Sequence, residues 1–182
     1  MKYCSDCSEP LDYKIPEGDD RHRHCCNACG VVHYLNPKVI AGCLPTLNGQ
    51  VLLCRRAIEP RKGYWTLPAG FMELGEAVHE AAAREAWEEA RIRVDLDSVY
   101  TLMSLPHLSQ VYVFYRAEMT DPSFAPGPES LEVALFDEAE IPWDTLAFET
   151  VRMTLRHFFS DRTKGEFAFR DIVIPVAPLS EP

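Results

Sequence analysis

Three glutamates near one another on a predicted helix are the first residues of this sequence that could carry out chemistry. The stretch from Gly70 to Ile92 reads GFMELGEAVHEAAAREAWEEARI, and its second half is rich in alanine and glutamate, without glycine or proline. That composition favours an α-helix. Gaps of four, three, four and three residues, the spacing of a buried stripe, separate Val78, Ala82, Glu85, Glu89 and Ile92. Glu88 lies on the flank of the stripe.

Carboxylates on a buried stripe require a compensating positive charge. Without partners they would cost several kcal/mol each or become protonated. Arg84 and Arg91 could offset part of the charge, and a solvated helix face is the alternative interpretation. Because clusters of carboxylate oxygens suit hard divalent cations, the pattern favours a Mg2+ or Mn2+ site at the edge of the core.

Two cysteine pairs form a second group of residues with metal-binding chemistry. Cys4 and Cys7 make one CxxC pair, Cys26 and Cys29 make another, and eighteen residues separate the pairs. Each CxxC turn directs two thiolates at one point, so two turns complete a tetrahedral zinc shell. A closed shell of four cysteines has no open position for a substrate, and the zinc is therefore predicted to be structural.

The neighbouring Cys25 makes the register of the second pair ambiguous, and His22 and His24 are possible substitute ligands. Cys26 is preferred because Cys-Asn-Ala-Cys-Gly is the usual knuckle pattern, in which glycine permits the tight turn. Cys43 and Cys54 lie in apolar runs and are predicted to be core residues.

Composition narrows the classes of protein to which the chain can belong. It has 182 residues, 47% of them hydrophobic, which suits one domain with a small appendage. A net charge of −10 argues against nucleic acid as a partner, although a metal could still recruit anionic ligands. No apolar run approaches the ~20 residues of a membrane span. The opening MKYCSDCSEP lacks the apolar segment of a secretory signal, so we expect a cytoplasmic protein.

Apolar runs on both sides of the glutamate helix predict the elements that position it. KVIAGCLPTL and QVLLCRRA flank Asn48-Gly49, a pair typical of a two-residue hairpin turn. Later strands are predicted at RVDLDSVYTLMSL, SQVYVFYRAEM, EVALFD and GEFAFRDIVIP. TLAFETVRMTLRHFFSDR predicts a second helix and TDPSFAPGPES a loop. Helices and strands in this mixed order predict a layered α/β or α+β domain.

The glutamate helix resembles the Nudix box, the signature of the Nudix hydrolases, whose pattern is G-x5-E-x7-R-E-U-x-E-E-x-G-U with U aliphatic. Its fixed positions are occupied here by Gly70, Glu76, Arg84, Glu85, Glu88, Glu89 and Ile92. Ala86 is smaller than usual, and Arg91 replaces the second glycine, which in the family ends the helix in a left-handed conformation. The resemblance implies a Nudix-type α/β/α sandwich with a mixed sheet, preceded by the small N-terminal zinc ribbon.

Nearly the whole chain, to about residue 170, is similar to Nudix hydrolases described as FAD and ADP-ribose pyrophosphatases. HYLNPKVIAG, GYWTLPAGFME and FAPGPESLEVALFDEAEIPW carry this wider resemblance, and Pro106 is reminiscent of the ADP-ribose subgroup. The neighbouring NADH pyrophosphatases have an SQPWPFPxS segment where this chain reads SLPHLSQVYVF, which argues against NADH as the preferred substrate.

Membership would imply cleavage of a pyrophosphate in a nucleoside diphosphate linked to another group. Glu85, Glu88 and Glu89 would hold Mg2+ or Mn2+, with the carbonyl of Gly70 as an added ligand. Arg84 would orient these carboxylates, or else form only a surface pair with Glu88.

The remaining predicted roles rest on single residues. Glu76 begins the helix and could be purely structural. Glu129 in the PGPES loop is the candidate general base, with Glu132 as its rival.

A nucleotide substrate also needs an aromatic surface for its base and cations for its second phosphate. Tyr64, Trp65, Phe71 and Tyr112 are the aromatic candidates, although aromatic residues usually belong to the core. Arg55 is the predicted ligand of the phosphate or ribose, with Arg56 and Arg61 as alternatives.

These inferences predict a zinc ribbon at residues 1–36, a Nudix-type domain at 37–175 and a C-terminal tail at 176–182. The expected activity is Mg2+-dependent hydrolysis of ADP-ribose, FAD or both. NADH hydrolysis or removal of NAD caps from RNA is the second hypothesis, and a non-catalytic nucleotide-sensing or interaction module is the third. A homodimer is possible, because many Nudix proteins dimerise.

Overall fold

The fold of residues 1–175 is described by a computed structural model, in which the chain forms two units. One spans Met1–Pro37 and the other begins at Lys38. The predicted tail, residues 176–182, lies outside the described residues. Within the described part, no helix combines the length and the apolar character that crossing a membrane demands.

The N-terminal unit is built on a small antiparallel sheet. Its strands are β1 (Leu11–Lys14), β2 (Arg23–Cys26) and β3 (Val32–His33), in the order β1-β2-β3. β1 pairs Leu11 with Cys26, and one CxxC pair lies before β1 while the other begins at the end of β2. The short strands therefore bring the two cysteine pairs to the same end of the sheet.

The second unit is a mixed sheet with one helix against each face. Its strands are β4 (Lys38–Leu47), β5 (Gln50–Arg56), β6 (Trp65–Thr66), β7 (Ala69–Phe71), β8 (Val94–Leu105), β9 (Gln110–Met119), β10 (Ser130–Phe136) and β11 (Arg170–Val173). Their order is β10-β5-β4-β9-β8-β11, with β6 on β5 and β7 on β4. The pairs β4–β9 and β8–β11 are parallel, and the other pairs are antiparallel. The helices are α1 (Val78–Ala90) and α2 (Glu149–Lys164).

Alternation along the central strands divides the core between the two helices. On β4, Leu44 packs in the cluster that contains Leu155 and Phe159 of α2, whereas Cys43 packs with Ala86 and Ala90 of α1. Successive strand side chains point to opposite faces, so one strand serves both layers. This arrangement confirms the predicted α/β/α sandwich with a mixed sheet, and it places Cys43 and Cys54 in the core.

The turn and helix ends show how local sequence sets these elements. Asn48 and Gly49 both have positive φ, 51° and 84°, as a type I′ hairpin turn requires. The Glu80 carboxylate accepts the N–H of Ala77 in front of α1. Arg91 ends α1 in the left-handed conformation, with φ 56° and its N–H 3.0 Å from the Trp87 carbonyl. The helix therefore ends where the box pattern has glycine, although the residue is arginine.

Candidate active site and zinc centre

Three glutamates of α1, Glu85, Glu88 and Glu89, line a cavity of about 730 Å3. Glu85 and Glu89 are 8% and 6% exposed, whereas Glu88 on the flank is exposed. Ala82 and Ile92, from the same stripe, are buried, and Val78 is half-buried. The spacing in the sequence thus corresponds to burial in the structure, and two carboxylates lie on the buried face of the helix.

Burial makes the charged form of these two carboxylates unfavourable. Desolvation, added to the charge of Glu85, raises the pKa of Glu89 to about 8. Desolvation also raises the pKa of Glu85, against the opposing effect of Arg84. A divalent cation bound by these oxygens would remove the conflict, so the donor set fits the predicted Mg2+ or Mn2+.

Arg84 connects three carboxylates and one backbone carbonyl through five hydrogen bonds. Its guanidinium donates to Glu85 at 2.7 Å, to Glu88 at 3.1 Å, to Glu76 at 2.8 and 3.0 Å, and to the Phe71 carbonyl at 3.1 Å. The bond from Arg84 lowers the pKa of Glu76 to about 2. The pair with Glu88 is therefore one part of a network that holds the cluster together, and Glu76 anchors its arginine.

Gly70 lies directly against the carboxylate cluster. A Cβ added at this position would lie 2.3 Å from Oε1 of Glu85. The neighbouring Ala69 donates its N–H to Oε2 of Glu89 at 3.2 Å. Because β7 carries both residues, the backbone of this strand lies directly against the α1 carboxylates that are predicted to bind the metal.

The loop before β10 is fastened to the end of α1. Ala125 donates its N–H to the Ala90 carbonyl, and Gly127 donates to the Glu89 carbonyl, both at 3.0 Å. The Glu129 carbonyl accepts the N–H of Ala57 at 2.8 Å. Two carbonyls at the helix terminus thus find partners in the loop, as helix ends require.

The predicted base and its rival lie in different places. Glu129 lines the cavity of the glutamates. Glu132, on β10, is not among the lining residues and pairs with Arg55 at 3.5 Å. The structure therefore places Glu129, and not Glu132, beside the carboxylate cluster.

The same cavity also has a group of apolar lining residues. Tyr112 and Phe114 of β9 lie with ring centroids 6.1 Å apart, and Phe148 precedes α2. Leu105 and Leu108 add to the lining. We call these five residues the aromatic compartment. Of them only Tyr112 is predicted from the sequence, because no motif marks the others.

Phe71 and Arg56 lie at the same cavity. Phe71 is half-exposed, with the Lys38 ammonium 4.9 Å from its ring centroid. The Arg56 guanidinium lies 5.2 Å from the ring centroid of Phe148 and donates to the Pro60 carbonyl at 2.8 Å. Arg56 therefore supplies a positive charge between the glutamates and the aromatic compartment.

The structure corrects the prediction of Arg55 and does not bring Tyr64 or Trp65 to the cavity. Arg55 donates to the Gly63 carbonyl and pairs with Glu132, because adjacent residues of β5 point to opposite faces. Tyr64 lies under the Arg61 guanidinium, 5.4 Å from it. Trp65 packs edge-on against Phe136 at 4.9 Å. Closeness to the Nudix box in the sequence therefore does not place these three residues at the cavity.

The four predicted zinc ligands meet in the N-terminal unit. The Sγ atoms of Cys4, Cys7, Cys26 and Cys29 all lie within 4.8 Å of one another. Thiolates in a tetrahedral zinc shell, each about 2.3 Å from the ion, have this proximity, so the cluster fits a structural Zn2+. Backbone N–H groups, above all that of Cys29, lower the pKa of the Cys26 thiol to about 7, whereas hydrogen bonding with the Cys26 sulfur raises the pKa of Cys7 and of Cys29. Without zinc, the thiolate is therefore favoured at Cys26.

The structure also resolves the register of the second pair. Cys25 is buried with its Sγ near the carbonyls of Arg23 and Lys14, and His22 and His24 pack against the ring of Tyr13. None of the three belongs to the thiol cluster.

Replacing Cys26 with serine should therefore release zinc, whereas replacing Cys25 with serine should not. We expect about one zinc per chain in the wild type and in Cys25→Ser, measured by atomic emission after gel filtration. Loss of zinc from Cys25→Ser but not from Cys26→Ser would show that the register is wrong.

Comparison with known families gives two matches that together span most of the chain. Residues 36–160 match the family described as NUDIX domain, and residues 2–35 match the family described as Nudix N-terminal, a zinc ribbon. The second match coincides with the unit that holds the four cysteines.

Individual relatives differ in name and in extent. An NAD-capped RNA hydrolase NudC of Stutzerimonas stutzeri is 30% identical over 73% of this chain and 46% of its own length. An ADP-ribose pyrophosphatase of Methanocaldococcus jannaschii is 29% identical over 64% of this chain and 70% of its own. The chain thus spans about half the length of the NudC relatives that it matches.

A solved structure covers almost the entire chain. The crystal structure of a NUDIX hydrolase from Nitrosomonas europaea is 49% identical, covers 96% of this chain and 99% of its own, and superposes with a TM-score of 0.93.

Proposed function

The chain belongs to the Nudix family, and from this premise we propose that it hydrolyses the pyrophosphate bond of a nucleoside diphosphate linked to another group. ADP-ribose and FAD are the proposed substrates, and Mg2+ the proposed cofactor. One observation carries the proposal: a single cavity is lined by both the carboxylate cluster and the aromatic compartment.

The carboxylate cluster and the aromatic compartment each suit one part of such a substrate. The carboxylates would hold the cation that binds the pyrophosphate, and the aromatic compartment can receive a flat ring such as adenine or isoalloxazine. The Thr150 hydroxyl, on a residue that lines the cavity, is buried without a hydrogen-bond partner among the described residues. A ring with polar edge atoms could supply that partner.

The chemistry divides between the cation and the side chains around it. When bound by Glu85, Glu88 and Glu89, Mg2+ would neutralise phosphate oxygens and lower the pKa of the attacking water. Arg84 keeps the three carboxylates in place, and the Gly70 carbonyl is an added candidate ligand.

Glu129 is the proposed general base and would accept a proton from the water. The water oxygen forms a bond to phosphorus while the bridging P–O bond breaks. ADP-ribose would then yield AMP and ribose 5-phosphate. Arg56, in place of Arg55, would bind the second phosphate of the pyrophosphate.

A panel of substrates with Mg2+ tests the proposal. ADP-ribose, FAD, NADH, nucleoside triphosphates and RNA with a 5′ NAD cap should be compared at equal concentrations, with products separated by chromatography. We expect ADP-ribose or FAD to be cleaved fastest, at the pyrophosphate. Preferential cleavage of triphosphates, or no cleavage of any compound, would contradict it.

NADH hydrolysis or removal of NAD caps is the second candidate function. The names of the NudC relatives favour it. The segment SLPHLSQVYVF, which differs from that of the NADH pyrophosphatases, and the net charge of −10 speak against it. Faster cleavage of NADH or capped RNA in the panel would establish this alternative, and binding without any turnover would favour a nucleotide sensor.

Tyr112→Ala should weaken binding of the substrate ring. Stacking of a base on an aromatic side chain contributes about 1–3 kcal/mol, so we expect KM to rise by about 5- to 150-fold with a smaller effect on kcat. Tyr64→Ala is the matched control, because Tyr64 is close to the box in sequence but does not line the cavity. Equal effects of the two substitutions would show that the aromatic compartment is not the ring site.

A further inference from the structure

The C-terminal end of α1 carries an exposed aromatic ring between two arginines. Trp87 is 45% exposed. The guanidinium carbons of Arg91 and Arg93 lie 5.6 and 5.9 Å from the centroid of its ring. We call these three residues the Trp–Arg cluster. Cation–π contact with one ring holds both guanidiniums near a common surface and limits their rotamers.

Arg91 belongs to this cluster and also to the wall of the catalytic cavity. It lines the cavity together with Glu88 and Arg84, which precede it on the same helix. Its backbone has a φ of 56°, a conformation that favours glycine over every residue with a Cβ. Arginine at this position therefore adds a side chain beside the cavity, which glycine would lack.

The two guanidiniums of the cluster form no salt bridge in the part of the chain that the structure describes, although the pKa of Asp121 is lowered by the N–H of Ser123 and also by the charge of Arg93. Arg84 contacts three carboxylates, but no salt bridge of residues 1–175 involves Arg91 or Arg93. The Arg91 side chain donates to the Trp87 carbonyl through a long contact of 3.4 Å. Because neither arginine forms a salt bridge within the described residues of a protein of net charge −10, both guanidiniums keep hydrogen-bonding capacity for a ligand.

The chemistry of the cluster selects an anion of a particular kind. Guanidinium groups bind phosphate oxygens through paired, charge-assisted hydrogen bonds. The negative end of α1 would oppose an anion, but the loop N–H groups of Ala125 and Gly127 already satisfy the carbonyls of Ala90 and Glu89. A phosphate is therefore acceptable beside Arg91, which lines the cavity, because the Arg93 guanidinium lies near the same Trp87 ring and adds a second positive charge there.

We propose that the Trp–Arg cluster binds a second phosphate group of the substrate, outside the pyrophosphate that is cleaved. The proposal rests on the proposed function and deepens it. ADP-ribose and FAD carry no phosphate beyond the pyrophosphate, so the cluster would favour, within the same class of nucleoside diphosphates linked to another group, a substrate with one further phosphate. Such a group occurs as a phosphomonoester on a ribose hydroxyl or as the 3′ phosphodiester of a nucleotide chain. Both sources present the same anionic oxygens to the two guanidiniums.

Binding of small nucleotides tests this without any need for turnover. Dissociation constants of AMP, adenosine 2′,5′-bisphosphate, adenosine 3′,5′-bisphosphate and the dinucleotide pApA should be measured by calorimetry in the presence of Mg2+. A bond to a charged group contributes about 1.5–3 kcal/mol, so at least one extra phosphate should tighten binding relative to AMP by about tenfold or more. Preference for the 2′ compound would identify a monoester, and preference for the 3′ compound and pApA a nucleotide chain.

Arg91→Gly is the decisive variant, because glycine suits the left-handed backbone and the helix end is preserved. We expect it to abolish the preference of the bisphosphate over AMP, and Arg93→Ala to reduce it. Arg156→Ala, an exposed arginine near the ring of Trp143 that does not line the cavity, should keep the preference.

An equal affinity of the wild type for AMP and all three other probes would overturn the proposal. So would an unchanged preference in Arg91→Gly. Failure of the proposed function would appear separately, as absence of cleavage in the substrate panel.

Discussion

Replacing Glu89 with glutamine should lower hydrolysis by more than about 100-fold, since substitutions of residues that merely orient metal ligands already cost 10- to 100-fold. Glutamine keeps an oxygen that can accept the N–H of Ala69, so the fold should survive. The affinity for Mg2+, measured by titration calorimetry, should fall together with kcat.

The same substitution should stabilise the protein when no Mg2+ is added. Burial raises the pKa of Glu89 from its ordinary 4.5 to about 8, so the folded protein binds this proton more tightly than the unfolded chain. The contribution of Glu89 to the free energy of unfolding is then most favourable below pH 4.5 and is lost as the pH rises to about 8. Glutamine has no proton to lose, and Glu89→Gln should therefore melt at a higher temperature than the wild type at pH 8.

Glu118→Gln is the matched control for both measurements, because Glu118 is exposed on β9 and does not line the cavity. It should change neither turnover nor the pH dependence of melting. Undiminished turnover by Glu89→Gln would remove this carboxylate from the proposed mechanism, and a lower melting temperature would contradict the electrostatic argument.

Gly127→Ala should reduce kcat by about 100-fold, because a misplacement of about 1 Å has this effect on a catalytic group. An alanine Cβ would lie 1.7 Å from the Glu88 carbonyl oxygen, a distance that no pair of unbonded atoms can adopt. The loop must then leave the helix end, and Glu129, two residues further, leaves its place at the carboxylates. Steady-state kinetics with the best substrate of the panel measure the effect.

Gly165→Ala separates this local displacement from a general loss of stability. Gly165 ends α2 with a φ of 73° and has open space where a Cβ would lie, so alanine there costs about 1 kcal/mol of stability without touching the site. It should lower the melting temperature and leave kcat unchanged. Full activity of Gly127→Ala would show that catalysis does not depend on the loop position.

The parts of the site that depend on local spacing were predictable from the sequence. Helical periodicity places Glu85 and Glu89 on the buried face of α1, and the CxxC spacing brings four thiols together. Both patterns act over a few residues, where backbone geometry alone decides which side chains share a face. The Asn48-Gly49 turn is of the same kind, since two positive φ angles determine it.

The parts that depend on contacts between distant segments were not predictable. Phe148 reaches the cavity because the chain before α2 pairs with Trp65 of β6, and no spacing rule connects it to residue 85. Arg55 and Arg56 are equally suitable as residue types, and the alternation of side chains along β5 determines that Arg56 lies at the cavity. The last predicted strand, at 165–175, is shorter in the structure, where β11 spans only Arg170–Val173, because a propensity pattern does not specify which residues find a partner strand.

The carboxylate cluster and the aromatic compartment, which line the same cavity, come from different elements of the fold. α1, β7 and the loop before β10 supply the carboxylates and Gly70, whereas β9, the end of β8 and the start of α2 supply the aromatic compartment. Substitutions that reshape one set need not disturb the other. Under the proposed function, substitutions of Tyr112, Phe114 or Phe148 should therefore change which nucleotide is preferred and leave the carboxylates that would hold the cation in place.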